Sequence, residues 1–280
     1  MRPEVASIAT PSPATEAGTS GLPAVWSSKL LSATHPAALH GFLGGLPRMD
    51  EREQSQVVSR WLQRTIGAKV PSLVLMTQPH GRAIVEVSST TEGSREPDFL
   101  VAPEVDGAEA AGPRTAVLVV KSADCVPILA VDPELGRCAG LHAGWRGVAV
   151  GILPALLERW QKRGSSLRQV RLAFGPHIRQ CCFEVRQDCT SKFQPDDMAD
   201  ALEGRVNAQY LSLDTVLRTQ AARFGVSAAQ IEALPLCTDC GRDAAGQPLF
   251  ASYRRSNRQG QPVGRNLSYI ALLPHGADRA

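Results

Sequence analysis

The sequence has few aromatic residues, 5% of 280, and no run of basic ones. Nucleic-acid binding gets little support from it, because such proteins combine a cationic stripe with stacking rings. Charge of one sign is also lacking: 30 Lys and Arg against 27 Asp and Glu leave a net charge of +3, too small for a strong long-range field. No stretch is long and apolar enough to span a bilayer. Nothing near the start joins a basic flank to an apolar core, as a secretory signal does. The seven cysteines are an odd number with no export signal before them, so reduced thiols in a cytoplasmic protein are expected. No internal repeat, Walker loop or dinucleotide fingerprint is present, so neither a nucleoside triphosphate nor NAD is expected.

What is there suffices for a large core, with 43% of residues hydrophobic. Residues 1–24 include 17 Ala, Ser, Thr, Pro or Gly, too little apolar surface to offset the entropy of ordering. A disordered tail over 1–24 and one domain over 25–280 follow. His40 to Gly45 reads as a strand breaking into a turn. Asp50 and Glu53 form a capping box, and Val57, Val58, Trp61, Leu62 and Ile66 then recur on one helical face. Short strands are expected over Leu73–Thr77, Ala83–Val87, Ala116–Val120, Val126–Val131, Arg137–Leu141 and Val170–Phe174, with a polar loop over 88–96. A helix is expected after Gly147 through Trp160, with Pro154 either kinking it or marking its first turn. Asp214 reads as the cap of another helix, and Ile231–Leu236, Leu249–Tyr253 and Leu267–Leu273 read as late strands. Mixed strands and helices give an α/β class, a single domain of mixed β-sheets with packed helices.

Three separated segments carry chemistry. His80 lies in Gln78-Pro-His-Gly81, Cys125 in Ser122-Ala-Asp-Cys-Val-Pro127, and His142 opens His142-Ala-Gly-Trp-Arg-Gly147. Imidazole and thiolate are donors that Zn²⁺ prefers, and three protein ligands with a fourth position open mark a catalytic site. Each also has a plainer reading: a turn histidine, a buried inert thiol, a histidine bonded to a carbonyl. Asp124 beside Cys125 in an apolar stretch shifts the balance, because a carboxylate there is costly without a partner. Spacing alone cannot bring the three together. Arg146, Arg254, Arg255 and Arg265 are phosphate candidates through paired guanidinium hydrogen bonds, against a reading as exposed arginines. Cys237-Thr-Asp-Cys240 is a single CxxC. Pairing it with Cys181-Cys182 in a structural zinc site is disfavoured, because adjacent cysteines rarely both ligate one ion.

Ser122 to Leu129, His142 to Gly147, Gly175-Pro-His-Ile178 with Cys182-Phe-Glu-Val185, Cys237-Thr238, Ser252-Tyr-Arg-Arg255 and Gly264-Arg265 occur in the order of one family. The chain resembles the laccase-domain family, also called multicopper polyphenol oxidase-like or purine nucleoside phosphorylase, over residues 35–274. The resemblance implies zinc on His80, Cys125 and His142. With Cys125 and His142 read as catalytic, Asp124 is expected beside them to orient a ligand or relay a proton. It implies purine nucleosides and phosphate as substrates: phosphorolysis of adenosine, inosine, guanosine and methylthioadenosine, and deamination of adenosine. The family's arginine before the paired glycines is missing here, so another, such as Arg48 or Arg146, would have to replace it as a phosphate ligand, or phosphorolysis would be weakened. Copper-dependent phenol oxidation is the alternative, although six histidines are few for a multicopper centre. A cysteine hydrolase or peptidoglycan-precursor editing factor using Cys125 is another. No membrane or nucleic-acid partner is expected, and the working expectation is a monomer.

Overall fold

The computed structural model describes residues 24–34, 38–66, 72–87, 99–113 and 116–272. The tail expected over 1–24, except Ala24, and the loop expected over 88–96 fall outside them. Among the described residues, fifteen strands and eight helices are formed. The strands of the first half are β1 (Val25–Trp26), β2 (Ala38–Leu46), β3 (Leu73–Met76), β4 (Ile84–Val87), β5 (Phe99–Ala102), β6 (Gly107–Ala111), β7 (Val117–Ser122), β8 (Val126–Asp132) and β9 (Arg137–Ala143). Those of the second half are β10 (Arg171–Phe174), β11 (Glu184–Val185), β12 (Leu202–Arg205), β13 (Ala208–Leu211), β14 (Ile231–Ala233) and β15 (Arg265–Leu272). The helices are α1 (Lys29–Ser32), α2 (Glu51–Ile66), α3 (Trp145–Ala149), α4 (Ile152–Lys162), α5 (Gln187–Thr190), α6 (Pro195–Met198), α7 (Leu213–Ala222) and α8 (Tyr253–Gln259).

Two six-stranded mixed sheets stack, in the orders β1-β2-β15-β7-β3-β5 and β14-β10-β8-β9-β6-β4, and a small sheet β11-β13-β12 stands aside. The continuous apolar runs of β7 and β8 follow from burial on both faces. In β7, Val117 and Val119 pack with Val58 and Leu62 of α2, whereas Leu118 and Val120 pack between the sheets. In β8, Leu129 and Val131 point between the sheets, while Ile128 and Ala130 join Leu156, Trp160 and Leu217 of α4 and α7. The result is four layers: helix, sheet, sheet, helices.

Several local expectations hold. The Asp50 and Glu53 side chains and backbone amides bond reciprocally at the start of α2. Pro154 sits in the first turn of α4, where its missing N–H costs no helical bond. Others are corrected. The strand from Ala38 does not break at the glycines: β2 runs through Gly44 and Gly45 to Leu46, with a register shift opposite in β15. A Cβ on Gly44 would lie 2.6 Å from the Leu249 carbonyl oxygen, so these glycines admit a crossing segment rather than a turn. The helix expected after Gly147 begins before it and is two helices: α3 contains Gly147, and Gly151, with φ of 82°, divides it from α4. Ser212, not Asp214, caps α7 by accepting from the Thr215 amide. Leu249–Tyr253 is not a strand. Ser252 caps α8 through the Arg255 amide, and Phe250 packs against Trp26.

No helix among the described residues is long and apolar enough to cross a membrane.

Candidate metal centre

The topology concentrates chemistry at one end of the sandwich. Strands β3, β5 and β7 run parallel in the first sheet. Each is followed by a strand of the second sheet, β4, β6 and β8 respectively. The three crossings therefore leave at the same end, and they carry His80, Asp106 and Cys125. Strand β9, antiparallel to both β6 and β8, delivers His142 there, opposite Pro127.

The ligand atoms of His80, Cys125 and His142 lie within 4.8 Å of one another. The two imidazole rings meet edge to face, with centroids 4.8 Å apart. His142 is buried, Cys125 half-buried and His80 exposed. A soft thiolate and two imidazoles, open to solvent on one side, fit a four-coordinate metal with an exchangeable position.

Asp106, which sequence reasoning missed, holds this set. It is fully buried. Its Oδ1 accepts from His142 Nδ1 at 2.8 Å and from the His80 amide at 2.9 Å, and its Oδ2 accepts from the Gly81 amide at 2.6 Å. With Nδ1 committed, the other ring nitrogen of His142 is left to face Cys125. Burial pushes the Asp106 carboxyl up, but these hydrogen bonds outweigh it and hold the group below the ordinary carboxylate value. Burial likewise opposes charge on Cys125 and His142. Their mutual contact wins: with His80 it draws the Cys125 thiol down to about 7, and with Asp106 it lifts His142 to about 9. Without metal the pair favours thiolate and imidazolium.

Backbone strain supports the arrangement. Gln78, His80 and Asp124 all have positive φ, at 63°, 71° and 94°. The Gln78 amide group brackets Lys121, accepting from its N–H at 2.8 Å and donating to its carbonyl at 2.6 Å. Asp124 accepts from Thr238 Oγ1 at 2.6 Å and from the Arg254 amide at 2.7 Å, so both carboxylate oxygens are engaged. Burial raises its pKa against those bonds. Its visible role is to fix the turn that presents Cys125. A Cβ on Gly144 would stand 2.9 Å from His80 Cδ2 and 3.0 Å from Cys125 Sγ. The glycine of His142-Ala-Gly144 is there because the cluster comes that close.

A cavity of about 680 Å³ opens over the cluster. Arg48, Arg146, Arg254 and Arg265 line it, together with Trp145, Phe183 and Tyr253. Arg146 stacks over Trp145 at 4.2 Å. Arg255 is placed elsewhere and its expected phosphate role does not hold. It is buried, and its guanidinium donates to the carbonyls of Thr238, Asp239 and Phe250. Arg48, weighed only as a substitute, does reach the cavity.

A second group was disfavoured from sequence as a shared site, yet the structure brings its members together. The sulfurs of Cys181, Cys182, Cys237 and Cys240 also lie within 4.8 Å of one another. None of the four lines the cavity.

Comparison with known proteins agrees with the fold. Residues 36–273 match the family described as multi-copper polyphenol oxidoreductase laccase. The purine nucleoside phosphorylase YlmD of Geobacillus stearothermophilus is 32% identical over 234 residues, 81% of each chain. Adenosine deaminase RL5, from an unknown prokaryotic organism, is 28% identical over 64% of this chain and 70% of its own. The crystal structure of YlmD from Geobacillus stearothermophilus superposes with a TM-score of 0.71 at 26% identity, covering 86% of this chain and 94% of that one.

Proposed function

The chain belongs to the multi-copper polyphenol oxidoreductase laccase family, and from that premise we propose that it is a zinc-dependent purine nucleoside enzyme. Its reaction is phosphorolysis of adenosine, inosine, guanosine and methylthioadenosine to free base and ribose 1-phosphate or its methylthio analogue, with deamination of adenosine beside it. The observation that carries this reading is the His80, Cys125 and His142 cluster at the base of an arginine-lined cavity. The names of the relatives, purine nucleoside phosphorylase and adenosine deaminase, support the substrate class.

His80, Cys125 and His142 would hold the ion. When bound, it supplies Lewis-acid polarisation of substrate or water. The chain's own residues supply the rest. Trp145, Phe183 and Tyr253 offer apolar faces for a purine. Arg48, Arg146, Arg254 and Arg265 supply the guanidiniums for phosphate. The volume lies in the range of about 300–1,000 Å³ usual for small-molecule sites. In phosphorolysis a phosphate oxygen bonds to the anomeric carbon while the carbon–nitrogen bond to the base breaks, so both partners must be held in line. Asp124 acts as a positioning residue, its oxygens being taken by Thr238 and the Arg254 amide.

Copper oxidation finds less support. Among the described residues, two histidines share a metal-capable cluster, and a multicopper centre needs more. A metal-free cysteine hydrolase is the second reading, favoured by the Cys125 and His142 thiolate–imidazolium pairing. Incubation with each nucleoside, with and without phosphate, and product identification by mass separates these. Free base and ribose 1-phosphate formed only with phosphate establish phosphorolysis, and inosine from adenosine establishes deamination. Full turnover in protein stripped of metal would favour the cysteine mechanism. No product from any nucleoside would remove the nucleoside reading.

A further inference from the structure

Cys181 and Cys182 sit in the turn between β10 and β11, and Cys237 and Cys240 follow β14. The Sγ atoms of Cys181 and Cys240 are 3.7 Å apart, and all four fall within 4.8 Å. A tetrahedron with zinc–sulfur bonds of about 2.3 Å has sulfur–sulfur edges of roughly 3.8 Å. The Cys181–Cys240 pair thus stands at that edge length, and the other pairs exceed it by no more than about 1 Å. A multi-iron cluster would need them spread wider.

The backbone around Cys237 is built for a thiolate. The amides of Arg179, Asp239 and Cys240 are directed at its sulfur. The last two are the second and third residues after it, so the CxxC turn wraps its own first cysteine. The turn closes with Gly241 N–H donating to the Cys237 carbonyl at 2.9 Å, and a Cβ on Gly241 would come 2.5 Å from that oxygen. A residue with a side chain would force this turn open. The two cysteine-bearing segments are joined beside the site by a parallel bridge between His177 and Cys237, with Thr238 N–H donating to the His177 carbonyl at 3.0 Å. Arg205 and Arg258 stand close enough to Cys181 and Cys182 to interact with them electrostatically. They would offset part of the charge of four thiolates around a divalent ion.

We propose that Cys181, Cys182, Cys237 and Cys240 hold a zinc ion of their own, a closed structural tetrathiolate site separate from the cavity cluster. The ion binds as the thiols give up their protons to solvent, with no change of oxidation state. The site locks the segment carrying Thr238, and Thr238 in turn holds Asp124 and the Cys125 turn. A structural ion would in this way brace the catalytic cluster without touching substrate.

The test loads the reduced full-length protein with cobalt(II) as a spectroscopic stand-in, beside zinc analysis of protein purified without added metal. The wild type should show the intense ligand-field and thiolate charge-transfer absorption of a tetrahedral four-sulfur cobalt site. Those bands should persist in the Cys125→Ala variant and vanish in the Cys237→Ser/Cys240→Ser variant, which should also bind one zinc fewer per chain. If that variant does not fold, the wild-type spectrum still decides, because a site with one thiolate gives far weaker charge transfer. Cobalt bands lost in Cys125→Ala would overturn the proposal. So would a freshly purified chain two hydrogens lighter that regains its mass with dithiothreitol, since Cys181 and Cys240 would then form a disulfide.

Discussion

Asp106 accepts three hydrogen bonds within the site and touches none of the cavity. Asp106→Asn preserves its shape but turns one acceptor into a donor facing backbone amides and His142. Zinc affinity, read by competition with a chromophoric chelator, should fall about 10–100-fold, the usual cost of losing a ligand's supporting partner. Unchanged affinity would show that the His142 orientation does not depend on it. Gly144→Ala tests the packing directly. A methyl placed 2.9 Å from His80 and 3.0 Å from Cys125 must push the cluster apart. Turnover and metal content should drop together, while the melting temperature changes little. From sequence, Asp106 was one of three acidic residues, with Glu104 and Glu109, in an Ala- and Gly-rich stretch, with no spacing to mark it. Arg255 erred in the other direction. It shares a motif with Arg254, yet the helical turn sends adjacent side chains to different faces, and Arg255 went into the protein.

Helix ends and strand runs show how far local pattern reaches. The capping box at Asp50 was readable because both partners lie within one turn. At α7 two acceptors, Ser212 and Asp214, competed, and backbone geometry decides between them. Ser212 has extended φ and ψ and takes the Thr215 amide, whereas Asp214 lies inside the helix and pairs with Arg218 at 2.7 Å. Ser212→Ala should therefore lower stability by about 1 kcal/mol in urea unfolding. Asp214→Ala instead removes ion pairs with Arg218 and Arg179, both about a third exposed, and should cost up to about 1 kcal/mol without uncapping the helix. The strand expected over Leu249–Tyr253 failed because apolar residues in an irregular segment look the same as those in a strand. Phe250 is buried and Leu249 half-buried against neighbours distant in sequence, Trp26 among them.

At the scale of the whole molecule, β6 is tied to the outer helix layer by one buried carboxylate. Glu109 is fully buried, accepts from Trp160 Nε1 at 2.8 Å and pairs with Arg159 and Arg163. Glu109→Gln leaves guanidiniums facing a neutral group. Because those arginines are themselves partly exposed, the expected loss is about 1–3 kcal/mol by chemical denaturation, below that of a fully buried pair. Glu86 sits on the outer edge of the same network, where Arg163 first and Arg137 second hold its carboxyl down to about 2. A carboxyl depressed in the folded state stabilises above its unfolded pKa and loses that contribution as pH falls through the folded one. The melting-temperature advantage of wild type over Glu86→Gln should hold above about pH 5 and shrink between about pH 4.5 and 2. An advantage that grew on acidification would reverse the assigned sign. Exposure keeps the effect modest.

The sequence by itself determined the α/β class, the doubly buried strands β7 and β8, and the identity of the donors at His80, Cys125 and His142. Each is written in a contiguous stretch: an apolar run with no polar face, or an imidazole or thiol amid glycine and proline. Only the tertiary structure decided that the donors meet. They sit on three separate excursions of the chain, and what joins them is that β3 and β7 run parallel and cross to the second sheet at one end, where β9, antiparallel to β8, brings His142. Strand direction is set by long-range pairing and by burial of both sheets against each other, which no local window contains. The same holds for the four cysteines: adjacency in the chain argued against a shared site, and the bridge between His177 and Cys237 brought them together.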